Sequence, residues 1–439
     1  MMLNIITLIY FIFMMYLNKK TTFTSLLVWG LGCTFALSAL SGCNHPKENT
    51  DVTTCDTIPL AQGGGDFSPL ANKSVVYLDI STSTAGYLNT TSDPTFNGVV
   101  SEMCYLLPGE TTAALYGTKI EYLSTDSLLE CINNRKIKWA DESDLPSMIE
   151  SVVTALRNNK ITAGCIITDG ILSGSNEEIR ESPKRSYNIV SRQTLYNKVR
   201  DILSQPGNRD ISALIVRYTA GFNGIYYCYN NDQIPLKTKK KNNEIKRPFF
   251  AFIICKSDTL NHISSRLDRN KVTHEVLFGG GMPFNINLQP KGLRPDKNGK
   301  YGLKDGETAP VEFSANISVL PAYMKKTDYM TRNLKLYTLV GNSKKPFTQA
   351  VNITGVTDEY LYVSVEARNA LKGRTVIAEI SYEAPSWISQ LSSDDDSKIA
   401  NAMSGQQNLT FNLKYLLEAF TALNNGNLAT RPDTISFRR

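Results

Sequence analysis

Apolar residues recur along this chain with two different periods. Short, dense apolar runs over 74–80, 164–167, 211–218 and 248–255 have the character of strands buried on both faces. Between them, Val99, Val100, Met103 and Leu107 repeat at helical spacing over 96–107. Leu145, Met148, Ile149, Val152, Val153 and Leu156 do the same over 144–156, with Ser143 or Asp144 placed as the cap. Further helices are predicted over 195–203 and 258–267, and a strand over 118–123. Strands alternating with helices predict an α/β fold, a doubly wound and mostly parallel sheet covered on both faces over residues 73–280.

From Thr308 the period changes to two. Val311, Phe313, Ala315, Ile317 and Val319 alternate with polar residues, and strand-like runs follow over 334–340, 351–353, 360–365 and 375–382. These predict a small antiparallel β-sandwich of immunoglobulin-like type over 281–390. Gly279-Gly280-Gly281 and residues 291–306 read as linkers or loops. After the acidic loop Asp394-Asp395-Asp396, a last helix over 411–423 puts Leu413, Leu416, Leu417 and Phe420 on one face. That face needs a large apolar surface, so residues 391–439 are expected to fold back onto the α/β sheet, making the sandwich an insertion. The three aspartates have the composition of a solvated loop more than of a calcium site.

The N-terminus has to be set aside before the fold is argued, because targeting segments imitate structure. Lys19 and Lys20 precede an apolar stretch over 26–39 that ends in Leu40-Ser41-Gly42-Cys43. Residues 1–42 therefore resemble a bacterial lipoprotein signal peptide, which implies cleavage before Cys43 and lipidation of its thiol. The apolar stretch is shorter than the roughly 20 residues that a membrane-spanning helix needs. An earlier apolar run over 1–17 precedes the lysine pair, and Met14 or Met15 offers an alternative start. Residues 43–72, rich in Asn, Thr, Asp, Pro and Gly, read as a flexible tether. Asn44 after the lipidated cysteine points away from inner-membrane retention and toward the outer membrane.

About 400 residues remain beyond the leader, enough for two domains with proper cores. The formal charge of +6 falls to +4 once Lys19 and Lys20 are removed, too mild to imply a nucleic-acid partner. One basic cluster, Lys237 and Lys239–241 with Lys246 and Arg247 nearby, lies between two strand runs and reads as a solvated hairpin loop. Cys165 and Cys255 fall inside strand runs as buried thiols, and Cys104 with Cys131 can pair in an oxidising envelope. No C-x-x-C spacing occurs, which argues against zinc or thioredoxin-like chemistry.

The candidate chemistry sits where two strand runs end. Val75-Val76-Tyr77-Leu78 runs into Asp79-Ile80-Ser81-Thr82-Ser83, one acid followed by two hydroxyls at alternate positions. Cys165-Ile166-Ile167 runs into Thr168-Asp169-Gly170. In open α/β sheets ligands collect at the carboxyl ends of the strands, so both aspartates are placed for one site. A hard cation such as Mg²⁺ takes about six oxygen ligands, some of them water. Asp79 and Asp169 can balance its charge while Ser81 and Ser83 offer neutral oxygens.

Together these segments resemble the metal-ion-dependent adhesion site of von Willebrand factor A-type domains, the module shared with integrin inserted domains. The resemblance spans residues 73–267 and is firmest around the two aspartates. It implies a bound Mg²⁺, or Mn²⁺ or Ca²⁺, held by Asp79, Ser81, Ser83, Ser143 and Asp169, with one position open to a carboxylate from a partner protein. Ser143, in Glu142-Ser143-Asp144-Leu145, stands where the family carries a threonine. The family's glycine within the first motif is absent, Thr82 and Thr84 taking the neighbouring places. Both departures favour an alternative, a metal-free domain in which the aspartates cap turns and the serines bond backbone.

Catalysis finds little support. Past the tether only His262 and His274 remain, and no G-x-S-x-G, H-E-x-x-H or P-loop occurs. Three readings stand: an envelope lipoprotein that binds a protein, or else a glycan, through a metal; a metal-free assembly component of an envelope complex; and a metal hydrolase using Asp79 and Asp169. The first is the expectation, with the membrane contacted through the lipid alone and no enzymatic activity.

Overall fold

A strand buried on both faces belongs in the middle of a sheet, and β1 (Lys73–Asp79) lies there. The computed structural model describes residues 72–90, 92–140, 143–171, 187–228, 232–236, 245–279, 284–285, 287–341, 343–401, 405–424, 430–431 and 433–438. All of these fall within one of two compact units, Cys55–Arg439. The leader, Cys43, the tether up to residue 71 and Lys237–Lys241 lie outside the described residues.

Two short helices follow β1, α1 (Ala85–Leu88) and α2 (Thr95–Leu106). Next come β2 (Glu110–Tyr116), β3 (Ile120–Ser124), α3 (Thr125–Asn133), α4 (Leu145–Arg157) and β4 (Ala163–Thr168). After α5 (Tyr187–Leu203) the chain runs through β5 (Ile211–Phe222), β6 (Gly224–Tyr227), β7 (Gln233–Leu236) and β8 (Ile245–Lys256) to α6 (Ser257–Arg266) and β9 (His274–Gly279). The seven-stranded sheet has the order β3-β2-β1-β4-β8-β5-β9.

The sheet is mixed, which corrects the expected mostly parallel one. Only β1 with β2 and β1 with β4 run parallel; the other four pairings are antiparallel. The reason lies between β5 and β8. A parallel neighbour needs a crossover, usually helical, whereas these two strands are joined through the β6–β7 hairpin arm and pair over 12 residues each.

Alternation of side chains sends Val76 and Leu78 to one face of the sheet and Val75 and Tyr77 to the other. The first face is covered by α2, α3 and α6, the second by α4, α5 and the helix Leu413–Phe420. Gly164 in β4 lets α4 approach closely: a Cβ there would stand 2.5 Å from Cγ1 of Val152. Asp144 caps α4, accepting from the Ser147 N–H at 3.2 Å, so the cap is Asp144 and Ser143 is left for other work.

Leu413, Leu416, Leu417 and Phe420 lie in the core of the second face, and the Phe420 ring is 5.9 Å from Phe252 and 5.6 Å from Phe278. Phe420→Ala is expected to lose about 3–5 kcal/mol in denaturant unfolding, the range for large-to-small changes at fully buried aromatics. Asp394 pairs with Arg192 at 3.3 Å and Asp395 caps the short helix Asp396–Ala400, so the acidic loop is spent on docking and capping.

Two four-stranded antiparallel sheets make up the remaining layer. One contains Gln289–Pro290, Val311–Asn316, Tyr360–Val365 and Val351–Val356; the other contains Ser343–Pro346, Leu334–Val340, Thr375–Ile380 and Asp433–Ser436. Their apolar faces share a core, with Phe313 against Phe437 at 6.3 Å. Cys104, Cys165, Cys228 and Cys255 are buried free thiols and Cys131 is buried; with Cys104 free, the Cys104–Cys131 disulfide that an oxidising envelope allows is not formed. No helix among the described residues is long and apolar enough to cross a membrane.

Candidate metal centre

Because β1 and β4 are adjacent and parallel, with Leu78 opposite Ile167, their carboxyl ends deliver Asp79 and Asp169 to the same rim. Both carboxylates are buried, at 0% and 2% exposure. The chain turns sharply after β1. Thr84 donates its hydroxyl to the carbonyls of Asp79 (2.9 Å) and Ser81 (2.7 Å), and the Ser81 N–H bonds Oδ1 of Asp79 at 2.9 Å. This turn brings the hydroxyls of Ser81 and Ser83 to 3.0 Å of each other.

The third segment arrives through a short parallel bridge between Ser81 and Ala140, in which Thr82 N–H donates to the Ala140 carbonyl and Ala140 N–H to Ile80. Ser143 follows, just ahead of α4, and donates its hydroxyl to Oδ2 of Asp79 at 2.8 Å. The Ser83 hydroxyl lies close enough to Asp169 to favour its charged form, and Oδ1 of Asp169 accepts the Ile171 N–H at 3.0 Å. Asp79, Ser81, Ser83, Ser143 and Asp169, the five residues named from the sequence, thus meet in one pocket.

Two further groups belong to it. Thr168 donates its hydroxyl to Oδ2 of Asp79 at 2.7 Å and accepts the N–H of Gly170, whose φ of +74° lets the chain turn away after Asp169. Arg247 corrects the solvated-loop reading of the basic cluster. Lys246 is solvated, but Arg247 is 1% exposed, its guanidinium 4.4 Å from the Tyr226 ring centre and 5.3 Å from that of Phe222. The signal for it was the alternation along β8, where a strand residue beside an outward Lys246 must point inward.

Burial pushes the Asp79 carboxyl above the usual range against the pull of donors from Ser81, Thr168 and Ser143. Asp169 is pushed up to about 6, first by burial and then by the charge of Asp79; Arg247, Ser83 and the Ile171 N–H pull the other way. Two buried carboxylates that repel each other, ringed by neutral hydroxyls, form an all-oxygen donor set that fits a hard divalent cation better than a thiophilic one. Among the described residues no group of three or more His, Cys, Asp or Glu side chains is placed to hold a metal ion. The fit accordingly rests on two acids and the hydroxyls.

Neither histidine is near. His262 contacts Arg266 on the exposed side of α6, and His274 packs on Trp387. A groove of about 410 Å³ opens beside the first motif, lined by Thr82, Gly86, Asn89, Asn223 and Tyr227 among others. No protein-family model, curated protein or solved structure matches this chain.

Proposed function

We propose that this chain is a lipid-anchored envelope protein whose von Willebrand A-like layer captures a partner protein through a divalent cation, without making or breaking covalent bonds. The observation that carries the reading is the convergence of Asp79 and Asp169, from adjacent parallel strands, with the hydroxyls of Ser81, Ser83 and Ser143. With only two charged ligands and the rest neutral oxygens, the cation's charge is no more than balanced and it stays electrophilic, so a carboxylate from a partner is a favourable additional ligand at an open position. The groove beside Thr82 offers such a partner a way in. Anchoring through Cys43 rests on the Leu40-Ser41-Gly42-Cys43 signal, and the outer membrane on Asn44.

One observation favours the metal-free reading. Arg247 places a fixed positive charge close enough to pull on Asp169, which is part of what a cation would do. Titration calorimetry with Mn²⁺ and Mg²⁺ at neutral pH separates the two. The metal reading expects saturable heat from the wild type, which acetate or an Asp-containing peptide then modifies by filling the open position. Absence of heat with either ion would leave an assembly protein in which the buried Arg247 charge takes the cation's part.

A further inference from the structure

A second site stands apart from the aspartate rim, at the outer edge of β9. A cavity of about 380 Å³ is bounded by three distant chain segments: Arg269 to Glu275, Ala322 to Lys326, and Pro385 to Gln390. That volume lies in the range of small-molecule sites, at its lower end. Val272, Pro385 and Trp387 supply apolar wall, and Trp387 is fixed by its indole N–H on the Glu275 carbonyl (3.3 Å) and by the His274 ring at 5.1 Å.

The polar groups are unevenly satisfied. Glu275 is 3% exposed; its Oε1 accepts from Arg269 Nε at 3.3 Å and from the Ala322 N–H, while its Oε2 has no hydrogen-bond partner among the described residues. Nδ1 of His274 is buried and likewise without a partner among them. A buried carboxylate oxygen left without a donor is costly, and such groups are almost always satisfied by something. Arg269 is held by Ser264 through both terminal nitrogens, so its guanidinium is already committed. Lys326 stands exposed on the wall as a second positive charge.

We propose that this cavity binds a small zwitterion of amino-acid or dipeptide size, its ammonium donating to Oε2 of Glu275 and its carboxylate facing Lys326. The lining explains the class. A buried acid with an open acceptor selects a cationic donor, the aromatic and proline walls accept an aliphatic or aromatic body, and the lysine pairs with the opposite end. A ligand with a single positive charge leaves Lys326 uncompensated, and a simple anion leaves Oε2 bare. This site is independent of the cation pocket and stands or falls separately.

The test is calorimetry of the full chain against free amino acids and Gly-X dipeptides, each compared with its N-acetyl and its amide derivative. At least one free zwitterion is expected to bind. Its N-acetyl derivative, lacking the ammonium, should bind roughly tenfold or more weakly. Lys326→Ala, a surface change, should weaken the free acid and leave the affinity of the amide unchanged. Glu275→Gln should weaken the free amine while binding the N-acetyl derivative no worse than the wild type does. Heat from none of the probes overturns the proposal, as does equal binding of free and N-acetylated forms. Should Glu275→Gln fail to fold, the derivative series on the wild type and on Lys326→Ala still decides.

Discussion

Asp79→Asn is expected to melt several degrees higher than the wild type when both are stripped of divalent cations at pH 7, and to lose all response to Mn²⁺. The substitution keeps the shape of the side chain, so Ser143 and Thr168 retain a partner at the end of β1. It removes a fully buried charge whose desolvation is unfavourable and whose field raises Asp169. A site assembled to hold a cation is poor in stability when empty, so neutralising one acid relieves it. Differential scanning calorimetry with and without Mn²⁺ reads both effects, and a variant that melts lower in chelator while still responding to Mn²⁺ contradicts the assignment.

The same carboxylate pair sets a pH dependence with an unusual sign. Asp169 has an ordinary value of 3.8 and is raised to about 6 in the fold, so between those values the folded chain holds a proton that the unfolded chain has released. Its contribution to stability is therefore fully present below about pH 3.8 and is lost as pH rises toward 6. The loss for the cation-free wild type is on the order of 3 kcal/mol. Mn²⁺ is expected to reverse it at pH 7 and to do little at pH 4, where protons already neutralise the pair. In Asp79→Asn this pH-dependent loss shrinks, because the second charge that raises Asp169 is gone.

Asp79 and Asp169 were legible because an acid that ends an apolar strand has few places to go in an α/β sheet other than its carboxyl rim. Ser81 and Ser83 followed from alternation, and Ser143 from the resemblance, which places a hydroxyl at the start of a helix between the two aspartate segments. What could not be read was strand direction. β5 and β8 are buried on both faces, and an apolar run looks the same whether its neighbour is parallel or antiparallel; only the absence of a helical pattern between them carried the information. Thr168 was visible inside Thr168-Asp169-Gly170, yet its role depends on a contact made 89 residues away, on Asp79. The strand Asp433–Ser436 was missed because four residues hold too little pattern, and its place in the sheet comes from pairing with Thr375–Ile380.

Arg247 decides between the two readings of the rim, and Arg247→Met is the variant with the sharpest contrast. Methionine fills much of the volume against Phe222 and Tyr226 and removes the charge. If a divalent cation belongs in the pocket, the guanidinium is a nearby like charge that weakens its binding. Removing it should then tighten Mn²⁺ affinity, by about tenfold if the interaction is near 1.4 kcal/mol. If instead Arg247 is the permanent counter-charge of a metal-free domain, the variant leaves two buried carboxylates uncompensated. It should then lose roughly 3–5 kcal/mol of stability, with no cation able to restore it. The two outcomes differ in direction as well as size: in the first the variant's melting temperature rises with added Mn²⁺ more steeply than the wild type's, and in the second it stays low at every Mn²⁺ concentration. Because Arg247 neighbours both the groove-lining β6 strand and the aspartate pair, the same titration also shows whether the charge at the end of the hairpin arm acts on the cation or only on the fold.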